Sequence, residues 1–224
     1  MSSSVLITGA NRGVGLALAR HYHAAGWAVI GVCRSGGEEA AELLEIAETL
    51  IEGIDVTREE DVARLKQELA GRRLDLLINN AGLLQDEVLG ELDFDSIRTQ
   101  MEINAYAPLR VTEMLLDNLG EGARIANITS RMGSIADNDS GGRYGYRASK
   151  AALNAFGKSL AVDLKPRGIA VAQIHPGYVQ TRMVNFGGMI SAEEAATGIA
   201  QRIEALTLEN SGGFWHSNGE TLPW

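Results

Sequence analysis

Short, uninterrupted apolar runs alternate with longer amphipathic stretches from one end of this chain to the other. The runs are Val5 to Ile7, Ala28 to Val32, Thr49 to Ile54, Leu74 to Ile78, Ala123 to Ile128, Ile169 to Ile174 and Gly213 to His216. Helix-like stretches lie between them, near Val14 to Ala25, Glu38 to Ala47, Glu59 to Gly71, Asp95 to Leu119, Tyr144 to Leu164 and Ala192 to Leu206. A strand apolar at every position has no wet face, so these runs predict a parallel sheet covered by helices on both sides. The expectation is a single-domain α/β fold of the Rossmann type, a doubly wound sheet of about seven parallel strands. At 224 residues the whole chain, 1-224, fits one such domain. Gly26 is placed to end the first helix, Asp95 or Ser96 to cap the fourth, and Pro166-Arg167-Gly168 to break the fifth. Ligands of such sheets sit beyond the carboxyl ends of the strands. The two longest Gly-rich loops, Gly133 to Arg143 and Gly177 to Met189, both emerge there.

The first strand runs into Thr8-Gly9-Ala10-Asn11-Arg12-Gly13-Val14-Gly15, which opens a helix. Glycines permit the tight turn and let backbone N–H groups and the helix N-terminus approach a pyrophosphate. A strand–turn–helix context makes this a dinucleotide site rather than a plain turn. An NAD site usually places an acid at the end of the second strand. Here Cys33-Arg34-Ser35 stands instead, and the nearest acids downstream are Glu38 and Glu39. Arg34 and Arg12 can clamp a 2′-phosphate with guanidinium geometry, or can both be solvated surface residues. With the acid missing, NADP is the expected cofactor, NAD the alternative. Asp55-Val56 closes the third strand, where Asp55 either faces an adenine or caps the helix at Arg58. Asn79-Asn80-Ala81-Gly82 follows the fourth strand, its small residues admitting a cofactor and its amides able to tie strand ends together.

Composition removes several function classes. A formal net charge of -9 argues against nucleic-acid binding, which needs a basic face. No apolar run has the length of a membrane span. Met1-Ser2-Ser3-Ser4-Val5 lacks a basic leader region, and the single cysteine, Cys33, has no internal partner; a cytoplasmic protein is expected. Cys33 reads as a small core residue. His21, His23, His175 and His216 show no metal-ligand spacing, so no metal is expected.

Chemistry points to Tyr146-Arg147-Ala148-Ser149-Lys150. Residues four apart share a helix face, and an ammonium one turn from a phenol favours the phenolate and pulls its pKa towards neutrality. With Thr8 to Gly15, Asn79 to Gly82, Asn104 in Glu102-Ile103-Asn104-Ala105, Asn127-Ile128-Thr129-Ser130, the Tyr146/Lys150 pair and His175-Pro176-Gly177 in order, the chain resembles the short-chain dehydrogenase/reductase family over nearly its whole length. The resemblance implies that Tyr146 exchanges a proton with the substrate oxygen. It implies that Lys150 lowers the phenol pKa and holds the nicotinamide ribose. Ser130 then orients the carbonyl, and Asn104 anchors a water behind the lysine. Pro176, Gly177, Val179 and Thr181 would shape the nicotinamide pocket, Thr181 bonding the carboxamide. Tyr144 lies off the shared face, and Ser134 is a second candidate hydroxyl behind Ser130.

The insert Asp137 to Gly142, a short segment after Thr181 and the ending Gly213 to Trp224 resemble sniffer-like carbonyl reductases and C-factor-like proteins. That implies reduction of a small-molecule ketone, aldehyde or quinone, with a substrate loop at about 177–191. Met132, Tyr178, Val184, Phe186 and Met189 are the candidate substrate contacts, or else core and lid packing. A signalling or regulatory dinucleotide-binding module and an NAD-dependent alcohol dehydrogenase are the rival readings. Pairing through the long helices would make the protein a homodimer or homotetramer.

Overall fold

The computed structural model describes residues 2–36 and 40–224. The parallel strands are β1 (Ser4–Thr8), β2 (Ala28–Val32), β3 (Thr49–Ile51), β4 (Leu74–Asn79), β5 (Leu119–Ile128), β6 (Ala170–His175) and β7 (Phe214–His216). They form one sheet in the order β3-β2-β1-β4-β5-β6-β7, every pairing parallel. The strand order reverses direction between β1 and β4, which opens a crevice at their carboxyl ends. The helices are α1 (Gly13–Ala24), α2 (Ala41–Ile46), α3 (Glu59–Leu69), α4 (Phe94–Met101), α5 (Ala107–Met114), α6 (Tyr144–Leu164) and α7 (Ala192–Glu204).

Burial follows from the unbroken apolar strands. Val5 and Ile7 pack with Leu18, Ile199 and Ile203 on the α1/α7 side of the sheet. Leu6 points the other way and packs with Leu65, Val111 and Leu164 under α3, α5 and α6. Adjacent residues of one strand thus fill two separate cores, which is why an alternating pattern is missing. Polar residues at strand ends are tied together. Asn79, Asn127 and Gln173 lie in register across β4, β5 and β6. Asn79 Nδ2 donates to Asn127 Oδ1 at 2.9 Å, and Asn127 Nδ2 to Gln173 Oε1 at 3.1 Å.

Several boundaries differ from the sequence reading. The expected helix from Asp95 to Leu119 is two helices joined by a π-helical turn, Glu102–Tyr106, and it ends at Met114. Strand β5 then starts at Leu119, four residues before the expected Ala123. Leu119 supplies apolar character to either element, and its pairing with Leu74 across a register shift decides it. The cap of α4 is Asp93, whose carboxylate accepts from the N–H groups of Asp95 and Ser96; neither of those residues caps. Strand β3 stops at Ile51. Gly26 follows the end of α1 at φ 79°, and a 3-10 turn, Lys165–Arg167, closes α6 before Gly168 at φ 71°. The expected helix start at Glu38, and Glu39 with it, lie outside the described residues.

Candidate active site

The glycine-rich turn is closed by contacts that leave no room for side chains. A Cβ on Gly15 would lie 2.2 Å from the Gly9 carbonyl oxygen, and one on Gly9 3.1 Å from Ala81 Cα. A Cβ on Gly13 would lie 3.3 Å from Thr181 Cγ2, so the turn and the segment after β6 meet across the crevice. Asn80 holds the arrangement: its Nδ2 donates to Thr8 O at 3.0 Å and Gly9 O at 3.1 Å, while Thr8 Oγ1 accepts from the N–H groups of Asn80 and Ala81. Helix α1 starts after its N-cap residue Arg12 with no side-chain cap and no acid in its first turn, so its positive end is uncompensated. A bare helix end behind a crowded glycine turn fits a dinucleotide pyrophosphate.

Residues at the end of β2 close the far side. Asn11 Nδ2 donates to Ser35 O at 3.2 Å, which places the exposed Arg34 beside the turn. Arg12 is also exposed. Asp55 is not a helix cap. Its Oδ1 accepts from Thr57 N–H at 3.0 Å and Thr57 Oγ1 at 2.7 Å, while α3 begins at Arg58 without a side-chain cap. Burial pushes the Asp55 carboxyl up, but the Thr57 bonds together with Arg34 and Arg58 bring it below the usual range. Cys33 is buried, and desolvation pushes its thiol up to about 11, which leaves it inert at neutral pH.

The proton-transfer candidates converge at the end of β5. Tyr146 and Lys150 are both buried on the inner face of α6. The Lys150 ammonium sits 5.8 Å from the centre of the Tyr146 ring and donates to Ile128 O at 2.9 Å. Ser130 stands two residues beyond the strand, accepts from Met132 N–H at 3.1 Å and lies where its hydroxyl pulls the phenol pKa down. Asn104 lies inside the π-helical turn, fully buried; its Nδ2 donates to Leu83 O at 2.7 Å and Ser149 Oγ at 3.0 Å, and its Oδ1 accepts from Leu83 N–H at 2.8 Å. A Cβ on Gly82 would lie 3.3 Å from Asn104 Oδ1 and 3.7 Å from Lys150 Nζ, so these three groups face one another. The four candidates therefore form one cluster opposite the glycine turn.

The electrostatics differ from what spacing alone suggests. Burial dominates at Tyr146 and raises its pKa, with Ser130 and Arg143 pulling it back. Lys150 is itself brought down to about 8 by burial. Desolvation of both charged forms outweighs the mutual attraction expected from the i, i+4 spacing. His175, at the end of β6, is pushed down to about 3 by burial and by His216, whose ring packs edge-on at 4.8 Å. It stays neutral across physiological pH. The Ser134 hydroxyl is engaged away from the phenol: it donates to Trp224 O at 2.9 Å and accepts from Asp137 N–H.

Val179 is buried and bridges to Ile190, while Tyr178, Phe186 and Met189 are exposed on the segment after β6. Met132 and Val184 are half-buried. Tyr144 is exposed, off the catalytic face as its spacing requires. Two residues the sequence reading passed over also belong to the site. Arg143 stands at φ 50° directly before α6, and Glu87 is buried against that helix. Both sit in loops, where no periodic signal marks a buried carboxylate such as Glu87 or an exposed guanidinium such as Arg143. Among the described residues, no group of three or more His, Cys, Asp or Glu is arranged for a metal, and no helix is long and apolar enough to cross a membrane.

Comparison with known proteins bears on the same elements. Residues 3–187 match the family model for the short chain dehydrogenase. The chain is 41% identical over 228 residues to 1-hydroxy-2-glutathionyl-2-methyl-3-butene dehydrogenase of Rhodococcus sp. (strain AD45), covering 99% of this chain and 100% of that one. It is 43% identical over 154 residues to the C-signal protein of Myxococcus xanthus, covering 67% of this chain and 93% of the other. The NADPH-bound carbonyl reductase from chicken fatty liver superposes with a TM-score of 0.88 at 30% identity, covering 100% and 99% of the two chains. The expected likeness to carbonyl reductases and C-factor-like proteins is met.

Proposed function

This chain belongs to the short-chain dehydrogenase family of oxidoreductases, and from that premise we propose that it reduces a ketone, aldehyde or quinone to an alcohol with NADPH. The observation that carries the reading is the convergence of Ser130, Tyr146, Lys150 and Asn104 opposite the Gly9–Gly15 turn. When bound, the reduced nicotinamide supplies the hydride. As charge grows on the carbonyl oxygen, the Ser130 and Tyr146 hydroxyls donate to it, and donors placed there favour the transition state over the ground state. Tyr146 then yields its proton. Lys150, one turn along and near its own pKa, supplies positive charge behind the phenolate, while Asn104 holds the α4–α6 junction and the lysine's surroundings in place. Gly9, Asn11, Arg12, Gly13, Val14 and Gly15 would hold the pyrophosphate and Asp55 and Val56 would face the adenine, with Asn80, Ala81 and Gly82 lining the cofactor's course towards Lys150. Pro176, Gly177, Val179 and Thr181 are proposed to bound the nicotinamide.

The NADPH assignment rests on Arg34 and Arg12 beside the turn, and is supported by the NADPH carried by the chicken reductase. Isothermal calorimetry is expected to show tighter binding of NADPH than of NADH, with Arg34→Asp weakening NADPH about tenfold or more through loss of a charge-assisted contact. Tighter NADH binding by the parent sinks the cofactor assignment. The activity itself is tested by following loss of NADPH absorbance against a panel of aldehydes, ketones and quinones; no turnover on any class counts against the reductase reading. The Rhodococcus relative, a dehydrogenase by name, supports running the panel's alcohols with NADP+ as well, since the same groups serve the reverse reaction.

A further inference from the structure

Helix α6 starts without a cap of its own. Its N-cap residue, Arg143, stands in the left-handed region at φ 50° and makes no side-chain capping bond, and the first turn holds no acid. The cap comes from the loop after β4. Glu87 is 4% exposed, and its Oε2 accepts from Gly145 N–H at 3.0 Å. Its main-chain oxygen accepts from Arg143 N–H at 3.2 Å. Its Oε1 accepts from Ser96 Oγ at 2.7 Å and from Gln100 Nε2. These partners are a hydroxyl, an amide and main-chain N–H groups at the positive end of α6.

This contact is half of a polar seam between α4 and α6. Gln100 and Asn104 are four residues apart on one side, Gly145 and Ser149 four apart on the other. Gln100 reaches Gly145 through Glu87, and Asn104 bonds Ser149 directly. A Cβ on Gly145 would lie 2.6 Å from Gln100 Nε2 and 2.9 Å from Glu87 Oε1, so the seam is closed. Tyr146 and Lys150 each follow a seam residue by one position, so the seam determines how the helix is turned about its axis.

We propose that Glu87 is a positioning residue: it caps α6 from across the chain and fixes the rotation that aims Tyr146 and Lys150. The role rests on Tyr146 being the proton donor. Other charged or titratable groups around the helix start are Lys150, Tyr144, Arg147 bonded to Gly141 O and Ser140, Arg143 with Asp86, and Arg131 with Asp137 and Glu220. His175 and His216 stand at the ends of β6 and β7, and the Asp95–Arg98 and Glu102–Arg110 pairs on the neighbouring helices.

The test compares Glu87→Gln and Glu87→Ala as NADP+ complexes. Glu87→Ala removes an acceptor shared by three donors and is expected to lower kcat about ten- to a hundredfold, with the KM for NADPH little changed, while Glu87→Gln, which keeps an acceptor in place, restores much of kcat. Ultraviolet titration of the phenolate, with Tyr146→Phe as blank, is expected to place the Tyr146 pKa of Glu87→Ala below the parent, because a loosened helix start lets water reach the buried ring, and that of Glu87→Gln close to the parent. An unmoved kcat together with an unmoved phenol pKa in Glu87→Ala overturns the positioning role. If Glu87→Ala does not fold, Gly145→Ala decides it: its methyl would meet Gln100 Nε2 at 2.6 Å, and an unmoved phenol pKa there overturns the role. The titration needs no substrate, so it separates failure of this role from failure of the reductase reading.

Discussion

Replacing Tyr146 with Phe is expected to lower carbonyl turnover by about a thousandfold, within the range for loss of a positioned general acid, while NADPH affinity stays close to the parent's. The ring is buried and remains in the variant, so its packing on α6 is kept and only the hydroxyl is lost. Ser130 survives as a donor to the substrate oxygen, which leaves residual binding without a proton source. The glycine turn and the start of α1 are untouched, which is why the cofactor should not notice the change. Steady-state kinetics on the best substrate of the panel, with calorimetry of NADPH beside it, separates these effects. Turnover at the parent rate would remove Tyr146 from the mechanism. The same variant also addresses the signalling alternative that the Myxococcus relative keeps open: a biological output that persists in Tyr146→Phe but fails when the dinucleotide cannot bind would favour a binding module.

The second large effect is expected from Gly15→Ala. The added methyl would sit 2.2 Å from the Gly9 carbonyl oxygen and 2.6 Å from Asn80 Nδ2. Neither can retreat freely, because Asn80 is bonded to Thr8 O and Gly9 O and Gly9 holds φ 64°. Relief requires the turn to open, which displaces the backbone N–H groups at the start of α1. The Kd for NADPH should rise at least tenfold, about 1.4 kcal/mol. Overpacking of about 1–3 kcal/mol would lower the melting temperature by about 2–12 °C for a chain of this size. Unchanged Kd and melting temperature together would show that the turn does not hold the cofactor.

How much of this was legible beforehand follows the range of the forces involved. Apolar runs such as Val5 to Ile7 and the turn from Thr8 to Gly15 carry their signal locally, so strand positions, parallel pairing and the cofactor end of the sheet could be read from the chain. The stretch from Asp95 to Leu119 could not be divided. A π-helical turn changes the bonding ladder without changing amphipathic spacing, and Leu119 joins a strand only because Leu74 is there to pair with it. Asp55 offered two roles of equal local plausibility, and the Thr57 turn decided against the cap.

The amino-acid sequence alone determined the doubly wound sheet, the glycine turn at its switch point and the pairing of Tyr146 with Lys150 on one helix face. All three depend on periodicity or on contacts between near neighbours. Only the tertiary structure decided the state of that pair, because desolvation depends on what the rest of the chain packs around it: burial raises the phenol, lowers the ammonium to about 8 and overrides the attraction that spacing predicts. It also decided what holds α6 in place. Glu87 and Gly145 stand 58 residues apart, and no local pattern links a loop carboxylate to the first turn of a helix that far along the chain.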